Sequence, residues 1–332
     1  MAADLVFSER AAETIGSGQA KPEEIKRRRK MNMIRLARGG KSRMKTQKVG
    51  KSELIRFSDS VIFEGDALIV LQRLPDESVQ CMITSPPYWG LRDYAFPSQI
   101  GLEPTLPRYV NRLQSIFTEA RRVLKNDGVF WINIGDGYTS GNRGWRAPDK
   151  KNRARAMSVR PDTPEGLKPK DLLGIPWRLA LALQEDGWYL RADIIWNKPN
   201  AQPESVKDRP TRAHEYLFMF TKAERYYYDR ESIMEENGHG RRNRRSVWSV
   251  NTQAFPGAHF ATFPPALIEP CIQSSTQPGD YVLDPFFGSG TAGVVARQLG
   301  RRYVGIELHR EYVELAAERL KADEKAIVKV AA

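Results

Sequence analysis

From residue 59 onward, short apolar runs alternate with stretches whose apolar residues recur at helical spacing. VIFEG (61–65), SVQCMIT (78–84), GVFWINIG (128–135), WYLRADIIWN (188–197), DYVLDPF (280–286) and RYVGIEL (302–308) have the length and composition of buried strands. Between them ALIVLQRL, PRYVNRLQSIFTEARRVLK, LLGIPWRLALALQEDG, PPALIEPCI, TAGVVARQLG and EYVELAAERLKA read as helices. In the second of these, Val110, Leu113, Phe117, Ala120 and Leu124 step by three and four and form one apolar stripe. Asn126, Asp127 and Gly128 predict a turn into the following strand. EYLFMFT and RYYYD, separated only by KAE, predict a β-hairpin. The alternation predicts an α/β fold around a mixed, mostly parallel sheet.

Two stretches break the pattern, 137–170 and 230–257; both are polar, basic and irregular, and read as insertions or mobile loops. Upstream, residues Lys21 to Lys51 hold thirteen Lys or Arg against Glu23 and Glu24. Most of the formal charge of +12 therefore sits in this arm, leaving about +3 for everything after Lys51. The expected organisation is a basic, flexible N-terminal arm (1–56) and one catalytic domain (57–325). Such an arm can neutralise phosphates on nucleic acid, or stay solvated. No run of eighteen apolar residues and no signal-like start is present, so a soluble cytoplasmic protein is expected. Cys81 and Cys271 have no metal-site spacing and are expected to be reduced and buried, and no metal is expected.

TSPPYWG (84–90) follows a strand with two prolines and two aromatics, but carries no acid, base or metal ligand. It is built for shape and hydrogen bonding. DPFFGSGTAG contains Gly288, Gly290 and Gly293 as G-x-G-x-x-G between a strand and a helix, with Glu307 ending the next strand. Glycines let backbone approach a ligand, and an acid there can accept hydrogen bonds from ribose hydroxyls. Only about forty residues follow the glycines, too few to complete a nicotinamide enzyme, so the rest of the sheet must come from upstream.

TSPPY (84–88) and DPFFGSGT (284–291), in that order, resemble the permuted β class of S-adenosyl-L-methionine-dependent DNA amino-methyltransferases. EGDAL (64–68), HFATFPPAL (259–267) and VGIEL (304–308) are similar to further pieces of that family, so the resemblance spans about residues 59–322. It implies a Rossmann-like methyltransferase sheet in circularly permuted motif order, which explains a glycine strand near the C-terminus. It also implies that Asp66, Phe263, Pro264, Asp284, Pro285 and Phe286, with Gly288, Ser289, Gly290, Thr291 and Glu307, bind the cofactor.

An exocyclic amino nitrogen is a poor nucleophile because its lone pair is delocalised into the ring; acceptors aimed at its protons free that pair for attack. The resemblance implies that Ser85 Oγ and the Pro86 carbonyl are those acceptors, that Pro86 and Pro87 stiffen the loop, and that Tyr88 stacks on the target base. Such a base must be flipped out of the duplex. Trp89 and Tyr94 are candidates to line the same pocket, and Arg92 and Asp93 are either part of it or a surface ion pair.

Serine in the first motif position is commonest among cytosine-N4 enzymes and aspartate among adenine-N6 enzymes, which inclines the expectation to cytosine N4 with adenine N6 as the alternative. Methylation at cytosine C5 is disfavoured, because it needs a cysteine attacking C6 and Cys81 lies on the strand, upstream of the loop. Double-stranded DNA is the expected partner, with or without a cognate restriction endonuclease. Target recognition is expected from Arg143, Arg146, Lys150, Lys151, Arg153 and Arg155 in the first irregular segment and from Arg241, Arg242, Arg244 and Arg245 in the second. Lys198, Asn200 and Arg209 sit in a loop that similar enzymes place near the catalytic face. Methylation of RNA or of a protein glutamine, and a non-catalytic DNA-binding protein, are the competing readings. The motif order argues against the first two, and the glycine turn with SPPY against the last.

Overall fold

The computed structural model describes residues 45–49, 52–57, 59–93, 96, 98–140, 161–238, 240–253 and 263–331; positions up to 57 and beyond 323 are described as backbone only. Strands β1 (Lys45–Val49), β2 (Ser52–Phe57), β3 (Ser60–Glu64), β4 (Val79–Thr84), β5 (Leu124–Ile134), β6 (Tyr189–Asn197) and β7 (His214–Thr221) are followed by two short strands, β8 (Glu235–Glu236) and β9 (Arg241–Arg242), and by β10 (Val247–Ser249), β11 (Tyr281–Asp284) and β12 (Arg302–Glu307). Apart from the β8–β9 ribbon they form one sheet in the order β1-β2-β3-β12-β11-β4-β5-β7-β6-β10. β3, β12, β11, β4 and β5 are mutually parallel, and β7 runs antiparallel between β5 and β6.

The helices are α1 (Ala67–Leu71), α2 (Leu106–Val123), α3 (Ile175–Glu185), α4 (Pro265–Ser275), α5 (Thr291–Gln298) and α6 (Arg310–Ala331). Period-two alternation sorts the strand side chains between two helical layers. Met82, Phe130 and Ile132 pack with α1, α2 and α3, while Cys81, Ile83, Val129 and Trp131 pack with α4, α5 and α6. The α2 stripe is buried as its spacing predicts, but Leu124 ends the helix and opens β5. Thr105 caps this helix, its side chain accepting from Arg108 N at 3.4 Å, and Pro107 occupies the first turn. Among the described residues, no helix is long and apolar enough to cross a membrane.

Three expectations change. The hairpin partner of β7 is β6, not RYYYD. Residues 225–229 form no strand; Tyr227 N donates to Asp127 O and Asp229 N to Ser274 O, while Tyr226 and Tyr228 pack on the core. The apolar alternation of RYYYD thus serves packing without a ladder. Residues 124–134 form one continuous strand, and the predicted turn at Asn126–Gly128 becomes a bulge, with Val79 opposite Leu124 but Cys81 opposite Val129. The sheet also starts upstream of residue 57, because β2 pairs with β3 and β1 with β2.

The two irregular segments have different structures. The first is closed at its neck, where Thr139 N donates to Asp171 O and Leu173 N to Gly137 O, each at 2.9 Å; residues 141–160 lie outside the described ones. The second contributes β10, which joins the main sheet beside β6.

Candidate active site

β4 and β11 are parallel neighbours whose following helices lie on opposite faces, so the crevice between their carboxyl ends is the switch point at which α/β sheets bind ligands. Both motifs open there. Thr84 Oγ1, the last side chain of β4, donates to Asp284 Oδ1, the last of β11, at 2.6 Å. Phe286 N donates to the same oxygen at 3.0 Å. Burial pushes the Asp284 carboxyl up to about 7, against the opposing pull of these two bonds.

One pocket at this crevice is lined by Ser85, Pro86, Pro87 and Tyr88 on one side and by Asp284, Pro285, Phe286, Gly288, Ser289, Thr291 and Glu307 on the other, with Asp66 and Phe263 completing it. The lining also includes Leu91, Arg92, Gln99, Ile100, His309 and Tyr312, which no motif singled out apart from Arg92. Gly290 and Pro264 are not in the lining; Gly290 caps α5 with φ 80° and Pro264 caps α4. Trp89 belongs to the core, with its Nε1 donating to Glu103 O at 2.9 Å, and so does not line the pocket. Tyr94 lies outside the described residues. Arg92 is buried and lies within the lining.

Glu307 is buried, and both of its oxygens accept backbone donors: Oε2 from Gly288 N at 2.7 Å and Oε1 from His309 N at 2.9 Å. Burial raises its pKa, opposed by those bonds. A carboxylate has about four lone-pair sites, so acceptor capacity remains for a ligand. Gly288, at φ 50°, takes a left-handed conformation that favours glycine and lets backbone form the pocket wall. Gly293 has a different task. A Cβ there would fall 2.6 Å from Phe287 Cζ, and one at Gly305 would fall 2.5 Å from Phe287 Cγ. These two glycines make room for a ring stacked on Tyr303 beneath the turn. From α6, Arg319 Nη1 donates to Ser289 O, Ser289 Oγ and Thr291 Oγ1 at 3.3, 3.2 and 2.9 Å, tying the glycine turn to the last helix.

The SPPY loop is held as firmly. Tyr109 Oη donates to Pro87 O at 2.8 Å. Gly90 N donates to Gly101 O at 2.8 Å, and Gly101, at φ 100°, lies so close to Tyr88 O that a side chain there would strike it. Tyr88 Oη donates to Glu215 Oε2 at 2.7 Å, and Ser85 Oγ lies 3.5 Å from Tyr88 Oη as its donor. Glu215 in turn forms an ion pair with Lys198, which resolves one role left open in the 198–209 loop. Burial and the Glu215 charge hold the Tyr88 phenol well above its ordinary pKa, so it stays a donor. Asp136, just after β5, accepts from Gly174 N and Ile175 N and so caps α3 from a distance. Cys81 is buried in the core, and burial drives its thiol far above the ordinary value, so it is no nucleophile.

The basic residues proposed for DNA divide in two. Arg143, Arg146, Lys150, Lys151, Arg153 and Arg155 lie outside the described residues. However, Pro161, at the end of that segment, packs against Gly90, with Pro161 Cγ only 2.8 Å from where a Cβ would be. Arg242 and Arg245 bond Glu235 at 2.8 and 3.2 Å, Arg241 reaches Glu236 at 3.9 Å, and Arg244 lies over the Trp248 ring. Much of this charge is therefore balanced locally.

Comparison with known proteins places this chain in a family. The N6_N4_Mtase model, described as DNA methylase, matches residues 79–318. The chain is 66% identical over 292 residues to the Type II methyltransferase M.Cfr9I of Citrobacter freundii, covering 88% of this chain and 97% of that one. It is 58% identical over 262 residues to M.SmaI of Serratia marcescens, covering 78% and 90%. Among solved structures, the PvuII DNA methyltransferase (cytosine-N4-specific) aligns with a TM-score of 0.59 at 24% identity, covering 77% of this chain and 84% of that one. A candidate DNA modification methylase from Thermus thermophilus, solved with S-adenosyl-L-methionine, aligns with a TM-score of 0.56 at 26% identity, covering 78% and 92%. With its sheet order, its two motifs at one crevice and this breadth of match, the chain belongs to the N6_N4_Mtase family of DNA methylases.

Proposed function

We propose that this protein transfers a methyl group from S-adenosyl-L-methionine to the exocyclic N4 of a cytosine flipped out of double-stranded DNA. The observation that carries the reading is the meeting of SPPY and the glycine turn in one pocket, joined by the Thr84–Asp284 bond.

The residues fit the cofactor. Glu307 has lone pairs left for ribose hydroxyls, Phe263, Phe286 and Ile306 offer an apolar surface for a purine, and Asp284 offers negative charge to the cofactor's cationic end. When bound, the cofactor supplies an electrophilic methyl group on a sulfonium. The chain's own residues do the rest. Ser85 Oγ and the Pro86 carbonyl accept from the amino protons and shift electron density toward the nitrogen lone pair. The neighbouring carbonyls of Pro87 and Tyr88 are held by Tyr109 Oη and Leu91 N, which fixes the loop before the base arrives. The Tyr88 ring, braced by Glu215, offers a face for stacking.

The cytosine assignment rests on serine as the first motif residue. Arginines and lysines of 143–155 and 241–245 contact the duplex in this reading, and the Type II names of the relatives support a modification enzyme working with a cognate restriction endonuclease. The test is incubation with labelled S-adenosyl-L-methionine and mixed-sequence duplex DNA, followed by nucleoside chromatography. N4-methylcytosine is expected. Label in N6-methyladenine overturns the base assignment, and no label in DNA overturns the activity.

A further inference from the structure

We propose that Ser85, Tyr88 and Glu215 form a proton relay that carries the surplus proton of the methylated amino group out of the pocket, with Lys198 holding its terminal carboxylate in place. The inference rests on the amino-methyltransferase reading and adds to it the fate of the proton.

Alkylating a neutral amino nitrogen leaves it with one hydrogen too many and a positive charge, so a base must take one proton. SPPY itself contains no base, and its serine and tyrosine hydroxyls are poor ones. The structure, however, gives them a direction. Ser85 Oγ is oriented as donor to Tyr88 Oη at 3.5 Å, and Tyr88 Oη is donor to Glu215 Oε2 at 2.7 Å. Glu215 is the one carboxylate in this chain of contacts, and its other oxygen is paired with Lys198. Both side chains of that pair are mostly buried, at 17% and 16% exposure, and Lys198 also sits 4.1 Å from the centre of the Trp196 ring.

The step balances as a bucket line. The nitrogen gives a proton to Ser85 Oγ as Ser85 passes its own to Tyr88 Oη and Tyr88 passes its own to Glu215 Oε2. Three O–H or N–H bonds break and three O–H bonds form, and the positive charge on nitrogen is cancelled by the lost carboxylate charge. The amine ends neutral and Glu215 ends protonated, to be reset by solvent. The 3.5 Å link is long for a hydrogen bond, and catalytic hydrogen bonds often tighten when substrate binds. Glu215 reaches the site because β7 is antiparallel to its neighbours, so its first residues lie at the carboxyl edge where the parallel strands end. Gly135, just past the end of β5, leaves the space the phenol needs, since a Cβ there would fall 2.8 Å from Tyr88 Cε2 and 3.2 Å from Glu215 Cδ.

The experiment compares wild type, Tyr88→Phe and Glu215→Gln in single-turnover methyl transfer to duplex DNA, in mixtures of H2O and D2O, with cofactor affinity measured by calorimetry. Tyr88→Phe keeps the ring and removes the link. Glu215→Gln leaves SPPY intact and keeps an acceptor for Tyr88, but cannot take a proton. Each variant is expected to lose rate on the order of 100-fold, the lower end of general-base contributions, with cofactor affinity unchanged. The curved dependence of the wild-type rate on deuterium fraction, from several protons in flight, becomes linear in both. A rate within about twofold of wild type in either folded variant overturns the relay, and so does a loss of rate with unaltered curvature, which would make both residues positioning groups only. Absence of transfer by the wild type would instead sink the activity on which the relay rests.

Discussion

The hydroxyl of Thr84 and the carboxylate of Asp284, 200 residues apart in sequence, meet at 2.6 Å and join the two strand ends from which both motifs spring. This contact couples the SPPY side of the pocket to the glycine-turn side, and it involves an acid whose pKa is pushed up to about 7 by burial.

If Asp284 holds the cofactor as proposed, cofactor binding should depend on pH. Its folded value lies above the ordinary 3.8, so between about pH 4 and pH 7 the folded protein holds a proton that the unfolded chain has released. Its contribution to stability is full below about pH 4 and is lost as pH rises through about 7. A cationic ligand favours the ionised form, so binding S-adenosyl-L-methionine should expel a proton below pH 7. Affinity should rise by up to about tenfold per pH unit there and level off above. Calorimetry across about pH 5.5–8 measures this, and Asp284→Asn should flatten the slope, leaving only what Glu307 contributes.

Ser85→Ala should lower the single-turnover rate on the order of 100-fold while cofactor affinity stays within about twofold, since in the proposed reading the hydroxyl acts on the amino group in the transition state. Rapid quench with labelled cofactor, beside calorimetry, separates the two. Equal losses in both would remove the role assigned to this side chain.

Gly293→Ala and Gly305→Ala should each destabilise the protein by ~1–3 kcal/mol, because the added methyl strikes the Phe287 ring. Adding Phe287→Leu should recover part of the loss, giving a clear coupling in a thermal denaturation cycle. Unchanged Tm with loss of cofactor binding would return Gly293 to the role of a ligand-approach glycine.

Arg319→Lys should weaken cofactor binding by about tenfold without moving Tm much. A lysine cannot reproduce the fixed geometry with which the guanidinium holds Ser289 and Thr291. Calorimetry checks it; wild-type affinity would show that the turn holds its shape unaided.

Much of the site is legible before folding because stiffness and periodicity are local. SPPY, DPFFGSGT and Glu307 announce themselves by residue type and order, and all reach one pocket. Glu215 carries a fainter signal, an acid opening an otherwise apolar strand, and its meeting with Tyr88 depends on β7 lying beside β5 in the opposite sense. Arg319 carries none, being one of many charges on an amphipathic helix. RYYYD misleads for the converse reason: its alternation is real, but its backbone partners are Asp127 and Ser274, which no local pattern reveals.

By itself the sequence determined which residues face which layer, where the stiff and glycine-rich turns lie, and which chemistry those turns suit, since each follows from backbone sterics and the period of a strand or helix. Only the tertiary structure decided that Thr84 meets Asp284, that Tyr88 meets Glu215, that Trp89 is core, and that Gly293 yields to Phe287. Those outcomes depend on strand order, register and close packing among residues far apart in the chain, where one ring or one bulge selects the neighbour.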